Sequence, residues 1–167
     1  YNRGQILYRM AEMMEARKPE FAQIFKDVFG YTAKQSETVL NESIDHLVYY
    51  AGWSDKYQQV IGAVNPVSGP HHNFTTPEAT GVVALVMGAE FDFSKLVAAI
   101  ASIIVSGNSV IAFVQGNGGA CLSVLAEVLA TSDLSKGVVN ILSGSLDELK
   151  SQFATHMEIQ AVSCQTS

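Results

Sequence analysis

The run from Gly81 to Asn117, GVVALVMGAEFDFSKLVAAIASIIVSGNSVIAFVQGN, limits what this chain can fold into more than any other. A near-continuous apolar segment (Gly81 to Met87) meets an acidic turn (Gly88 to Phe93), and a long apolar segment (Ser94 to Val105) follows. A Ser-Gly-Asn-Ser break (Ser106 to Ser109) then leads into a second β-branched run, Val110 to Val114. Apolar runs without polar alternation are what strands buried on both faces need, and the middle segment has the length of a crossover helix. Such strand–helix–strand units are right-handed almost without exception. Ligands of open α/β sheets bind just beyond the carboxyl ends of the strands. Gly88-Ala89-Glu90-Phe91-Asp92 is therefore the first place to look for chemistry.

With 167 residues, 48% of them hydrophobic and 16% charged, the chain can bury a sizeable core and is a folded domain or a piece of a larger one. A net charge of −6 with no Lys/Arg cluster excludes a nucleic-acid surface. Two cysteines, Cys121 and Cys164, are too few for a disulfide framework and fit a reducing, cytoplasmic setting. The segment Leu96 to Val114 carries no charge and resembles a membrane span in hydropathy. Its Ser106–Ser109 turn, and the lack of a following Lys/Arg anchor, favour a buried helix followed by a buried strand. The chain starts at Tyr1 with an amphipathic pattern and no signal-peptide layout, as an excerpt would.

Ahead of the central unit, Ile6, Leu7, Met10 and Met14, then Phe21, Ile24, Phe25 and Val28, follow helical spacing. Pro19 suits a first helical turn, so Ala16-Arg17-Lys18 reads as a joint between two helices, and Gly30 as a stop. A third helix is expected from about Glu37 to Tyr57, with Leu40, Ile44, Leu47, Val48 and Ala51 as its inner stripe. Its end, Tyr49 to Tyr57, mixes aromatics with charges, as contacts between domains or subunits do, although ordinary packing is the default. Gln59 to Glu78 reads as a protruding hairpin with β-like runs at Val60–Val64 and Asn73–Thr76. His71-His72 at its tip has no further ligand at metal-binding spacing, so a solvated loop is favoured and no metal is expected.

After the central unit, Gly116-Asn117-Gly118-Gly119 opens a helix carrying Leu122, Leu125, Val128 and Leu129. A glycine-rich turn there can cradle phosphate, but no Lys and no Gly-x-Gly-x-x-Gly spacing accompanies it. A third strand (Gly137 to Gly144), a short helix (Leu146 to Phe153) and a fourth strand (Ile159 to Ser163) complete the pattern. The class is α/β: a Rossmann-like doubly wound parallel sheet preceded by helices and a hairpin. The expected divisions are 1–58 for the helices, 59–79 for the hairpin and 80–167 for the sheet unit.

Tyr49-Tyr50-Ala51-Gly52-Trp53-Ser54-Asp55-Lys56 resembles the YYAGWADK segment of aldehyde dehydrogenases. Thr80-Gly81-Val82-Val83, Ser106-Gly107-Asn108-Ser109-Val110 and Gly137-Val138-Val139-Asn140-Ile141 resemble further segments of that family, in its order. The resemblance covers essentially the whole chain. It implies an NAD(P)-binding domain, an oligomerisation platform built partly from the hairpin, and a catalytic domain beyond Ser167. The family's catalytic cysteine and its glutamate base would lie in that later part.

The positions that would carry function depart from the family. Its first strand ends in Pro-Trp-Asn-Phe-Pro, whose Asn donates to the substrate oxyanion; Gly88-Ala89-Glu90-Phe91-Asp92 matches it, so Glu90 stands in for that Asn. A carboxylate only accepts hydrogen bonds and repels developing negative charge. Glu90 and Asp92 suit instead the N-terminus of the following helix. The family's ribose-holding Lys and Glu correspond to Phe113 and Gly116, and its Gly-x-Gly to Gly144-Ser145-Leu146. Its Phe-Thr-Gly-Ser corresponds to Cys164-Gln165-Thr166-Ser167, of which Ser167 alone is kept. The resemblance thus leaves vestigial cofactor positions at Val86, Gly88, Phe113, Gly116 and Ser167. Neither Cys121, in an apolar helix, nor Cys164, in place of a Phe, has a paired base, and both read as small hydrophobes.

The chain is similar in kind to the incomplete second module of family-16 aldehyde dehydrogenases, which lacks the catalytic cysteine. The expectation is a non-catalytic scaffold that binds no cofactor. Its expected partner is a catalytic aldehyde dehydrogenase module or another copy of itself, with no nucleic acid and no membrane. The alternative is the NAD(P)-binding portion of a working aldehyde dehydrogenase.

Overall fold

The computed structural model describes residues 2–165. Helix α1 (Asn2–Ala16) and helix α2 (Lys18–Phe29) meet at Arg17, as the Pro19 signal predicts. Gly30 ends α2 in the left-handed conformation (φ 68°), its N–H donating to the Lys26 carbonyl at 3.1 Å. A residue with a Cβ is strained there, which is why glycine serves as the stop. Leu7, Met10, Met14, Phe21 and Phe25 are buried. Val28, expected on the same stripe, is exposed, because the helix turns it away from the layer that α1 and α2 share.

Helix α3 (Ala33–Trp53) starts earlier than its apolar stripe suggests. Thr32 and Gln35 form a capping box: Thr32 Oγ1 accepts from the Gln35 N–H at 3.3 Å, and the Thr32 N–H donates to Gln35 Oε1 at 2.9 Å. Two otherwise orphaned donors are thereby satisfied, so the helix begins at its cap and not at its first apolar residue. Leu40, Leu47 and Ala51 face inward; Val48 is exposed, and the small Ser36 and Ser43 take inner places where α3 lies close to its neighbours. The helix stops at Trp53. A separate turn, α4 (Tyr57–Ile61), takes Val60 and Ile61, the first two residues of the stretch expected as the first hairpin strand. Tyr57 is buried and accepts a hydrogen bond from Arg3 Nη1 at 2.9 Å, and this anchor overrides the β-branched character of Val60 and Ile61. The hairpin is correspondingly small: β1 (Ala63–Asn65) pairs antiparallel with β2 (Asn73–Thr75).

Four strands make the main sheet: β3 (Val82–Met87), β4 (Ser109–Gln115), β5 (Val139–Gly144) and β6 (Ala161–Gln165). All are parallel, in the order β5-β4-β3-β6. Strand β6 begins two residues later than the apolar run at Ile159 suggests; the Val82 N–H donates to the Gln160 side-chain oxygen at 2.7 Å in place of a backbone carbonyl, and regular pairing starts at Ala161. Helix α5 (Phe93–Val105) joins β3 to β4; a 3-10 turn (Gly116–Cys121) and helix α6 (Leu122–Ala130) join β4 to β5. The strand order then reverses across β3, and right-handed crossover sends α7 (Leu146–Thr155) to the opposite face. The segment that resembled a membrane span divides into α5 and β4, and among the described residues no helix is long and apolar enough to cross a membrane.

The two faces carry separate cores. On one, Leu85, Met87, Val110, Ala112 and Val114 of the sheet join α1, α2, α3, α5 and α6 in a single large cluster. On the other, Ala84, Val86 and Phe113 join only Phe153 of α7, with Ile111, Leu146, Leu149 and Ile159 at the margin.

Candidate functional site

The reversal of strand order places a crevice between the carboxyl ends of β3 and β6, where open α/β sheets bind ligands. The Gly88 N–H donates to the Gln165 carbonyl at 2.9 Å, and Gln115 Nε2 donates to the Met87 carbonyl at 3.2 Å. The ends of β3, β4 and β6 are thus laced together. Glu90 is exposed in the loop that follows β3 and lines a cleft of about 220 Å³ with Tyr31, Phe91, Lys95 and Gln165.

The two acidic residues of this loop do different jobs. Asp92 is the N-cap of α5: its Oδ1 accepts from the Lys95 N–H at 3.2 Å and from Ser94 Oγ at 3.1 Å. Lys95 Nζ stands 3.5 Å from its other oxygen. Glu90 takes no part in that cap; among the described residues it has no hydrogen-bond or ion-pair partner. The helix-end role expected of the pair therefore belongs to Asp92 alone, since an N-cap residue must stand directly before the first turn. At the Glu90 position an acyl-transfer oxyanion would meet an acceptor, not a donor.

Phe91 closes the space beside Glu90. Its ring stacks on Phe29 with centroids 5.8 Å apart and planes 19° apart. A Cβ on Gly118 would come within 2.5 Å of both Phe91 Cδ2 and Val114 Cγ1. This contact explains a glycine in the Gly116–Gly119 turn by packing, with no need for a phosphate. Gly116, where the resemblance places a ribose-binding Glu, is exposed with φ 56° and offers no side chain. The aromatic wall of Phe29, Tyr31 and Phe91 escaped the sequence reading. Its one local signal is Phe29 and Tyr31 flanking the left-handed Gly30, and nothing in the sequence brings Phe91 to them.

Phe113 and Val86 come together on the α7 face. They are aligned across β4 and β3, and both are buried. The Phe113 ring lies 5.5 Å from that of Phe153, and Leu146, where the resemblance implies a second glycine, packs at the edge of the same cluster. Gly144 leaves its Cα close to Phe113, where an added Cβ would sit 3.8 Å from Cε2. Gly88 is half-buried at the head of the crevice, and Ser167 lies outside the described residues.

Burial pushes the Cys121 thiol up to about 12, so it stays protonated and is no nucleophile near neutral pH. Cys164, read from the sequence as a small hydrophobe, is not covered by the fold. It is exposed on β6, aligned with Val86 of β3. His71 and His72 are exposed, and among the described residues no three His, Cys, Asp or Glu side chains converge as a metal site would require.

The model of the aldehyde dehydrogenase family matches residues 1–167. The 2,5-dioxopentanoate dehydrogenase of Saccharolobus solfataricus is 31% identical over 162 residues, covering 96% of this chain and 33% of that protein. The mouse cytosolic 10-formyltetrahydrofolate dehydrogenase is 30% identical over 166 residues, or 96% of this chain and 18% of that one. Among solved structures, PnpE in complex with nicotinamide adenine dinucleotide superposes with a TM-score of 0.90 at 21% identity, covering 98% of this chain and 33% of its own. The NAD+ complex of an aldehyde dehydrogenase from Bacillus cereus gives 0.86 at 21% identity, covering 99% and 33%. The chain thus spans a third or less of these relatives. With a family match along its whole length, and with the strand order and crevice that such a match requires, the chain belongs to the aldehyde dehydrogenase family.

Proposed function

We propose that this chain is a non-catalytic aldehyde dehydrogenase-like module, a scaffold that associates with a catalytic module of the same family or with a second copy of itself. The burial of Phe113 carries the reading. A ring with 0% exposure, packed against Phe153, stands where the family places a lysine for the ribose. An ammonium brought there would be stripped of water without a partner. Glu90 supports the same reading, because an acceptor at the oxyanion position opposes the reaction's developing charge. Val64 and Phe74, cross-strand neighbours on the hairpin, are largely exposed and offer apolar surface for association. Two unpaired cysteines suit a reducing, cytoplasmic setting.

Size-exclusion chromatography with light scattering tests the association: self-assembly, or capture of an aldehyde dehydrogenase module, is expected. A monomer with no affinity for any such module contradicts it. The retained fold and its likeness to proteins solved with NAD favour one other reading, the NAD(P)-binding part of an active aldehyde dehydrogenase. That reading requires saturable NAD binding.

A further inference from the structure

At the end of the sheet opposite the crevice, the amino ends of β4 and β5 meet the first turns of α1 around a cleft of about 220 Å³. Its floor is apolar, made by Ile6, Leu7, Ile104, Leu134 and Val138. Arg3, Ser109 and Ser135 stand at its polar side. Concave, mostly apolar sites with a few convergent polar groups are where small molecules bind.

Arg3 is the unusual member. Of the chain's three arginines, Arg9 pairs with Glu12 at 3.0 Å and Arg17 with Glu20 and Glu127. Arg3 meets no carboxylate among the described residues; Nη1 donates to two neutral oxygens, Tyr57 Oη at 2.9 Å and the Val105 carbonyl at 3.2 Å. These two bonds fix the guanidinium across Gly107, where an added Cβ would lie 2.9 Å from Nη2. Among the described residues Nη2 and Nε have no hydrogen-bond acceptor, and they are atoms that can form a fork toward an anion. In a chain of net charge −6, Arg3 is held at the carboxyl end of α5, beside an apolar cleft and with no carboxylate partner among the described residues, an arrangement that suits an aliphatic anion.

We propose that this cleft binds a small aliphatic carboxylate, with its carboxylate on Arg3 and its alkyl chain on the floor of Ile6, Leu134 and Val138. The site is independent of the crevice beyond β3 and β6 and of the scaffold reading.

Hexanoate titrated into the 167-residue chain and followed by amide chemical shifts tests it. Expected is saturable binding below about 10 mM, a range that corresponds to only a few kcal/mol, with shifts centred on Ile6, Ser109 and Val138. Hexanol and inorganic phosphate should each bind at least about tenfold more weakly, since each lacks half of the complement. Arg3→Gln keeps a donor for Tyr57 and should weaken hexanoate by about tenfold or more. Val138→Trp fills the floor while leaving the Arg3 side chain in the sequence and should abolish binding, which keeps the test decisive should Arg3→Gln destabilise α4. Hexanoate that fails to saturate, hexanol that binds equally well, or Val138→Trp that binds like the parent chain overturns the proposal.

Discussion

The two faces of the central sheet are built to different standards. One is covered by five helices and holds a continuous core running from Leu7 and Phe25 through Leu85 and Val114 to Leu125. The other is covered by α7 alone, and Leu142, Val162 and Cys164 on it stay open to solvent. Reversal of strand order causes the asymmetry: β3 to β4 to β5 steps one way and keeps its helices on one side, while the return to β6 sends a single helix to the other. The thin face also holds Phe113, at the position where the family resemblance implies a cofactor-binding lysine. Stability and the proposed loss of cofactor binding therefore reside on opposite sides of one sheet.

The largest expected effect breaks or upholds that contrast directly. Phe21→Ala, on the thick face, should cost about 3–5 kcal/mol in urea denaturation, whereas Phe153→Ala should cost about half as much because α7 can settle into the gap. Equal losses would end the distinction between the faces. Gly118→Ala should cost about 1–3 kcal/mol, since the new methyl meets Phe91 and Val114 within 2.5 Å. Retention of full stability would mean that the aromatic wall is loose.

Cys121 makes a pH-dependent prediction. Its thiol ionises near 9 in the unfolded chain but only near 12 when buried. Between those values the unfolded state releases a proton that the folded state keeps, so stability falls as pH rises, by at most about 1.4 kcal/mol per unit. Cys121→Ala should flatten this part of the alkaline slope, leaving what tyrosines and lysines contribute; an unchanged slope would show that the thiol reaches solvent. The smallest effect is expected from Val162→Lys on the exposed edge strand, within about 0.5 kcal/mol. A loss of several kcal/mol there would show that the thin face is covered in solution.

Much of the architecture was legible because burial on both faces forces unbroken apolar runs, and Val82–Met87 and Val110–Val114 show them plainly. The start of α3, expected near Glu37, was missed by an apolar-stripe criterion, because its signal is the polar pair Thr32 and Gln35. The α4 turn was not, since its cause is Arg3, 54 positions away, holding Tyr57. At the site, the residue types at Glu90 and Phe113 could be read from the sequence. Their settings could not: Phe113 meets Phe153, and Phe91 meets both Phe29 and Gly118, only through the tertiary fold.

The central claim is that a buried Phe113 and an acceptor at Glu90 leave this crevice without a cofactor. Calorimetric titration of NAD and NADP into the chain measures that directly. The account predicts no saturable heat up to about 1 mM, the limit of weak specific binding. Micromolar binding of either dinucleotide would contradict it and establish the crevice as a working site.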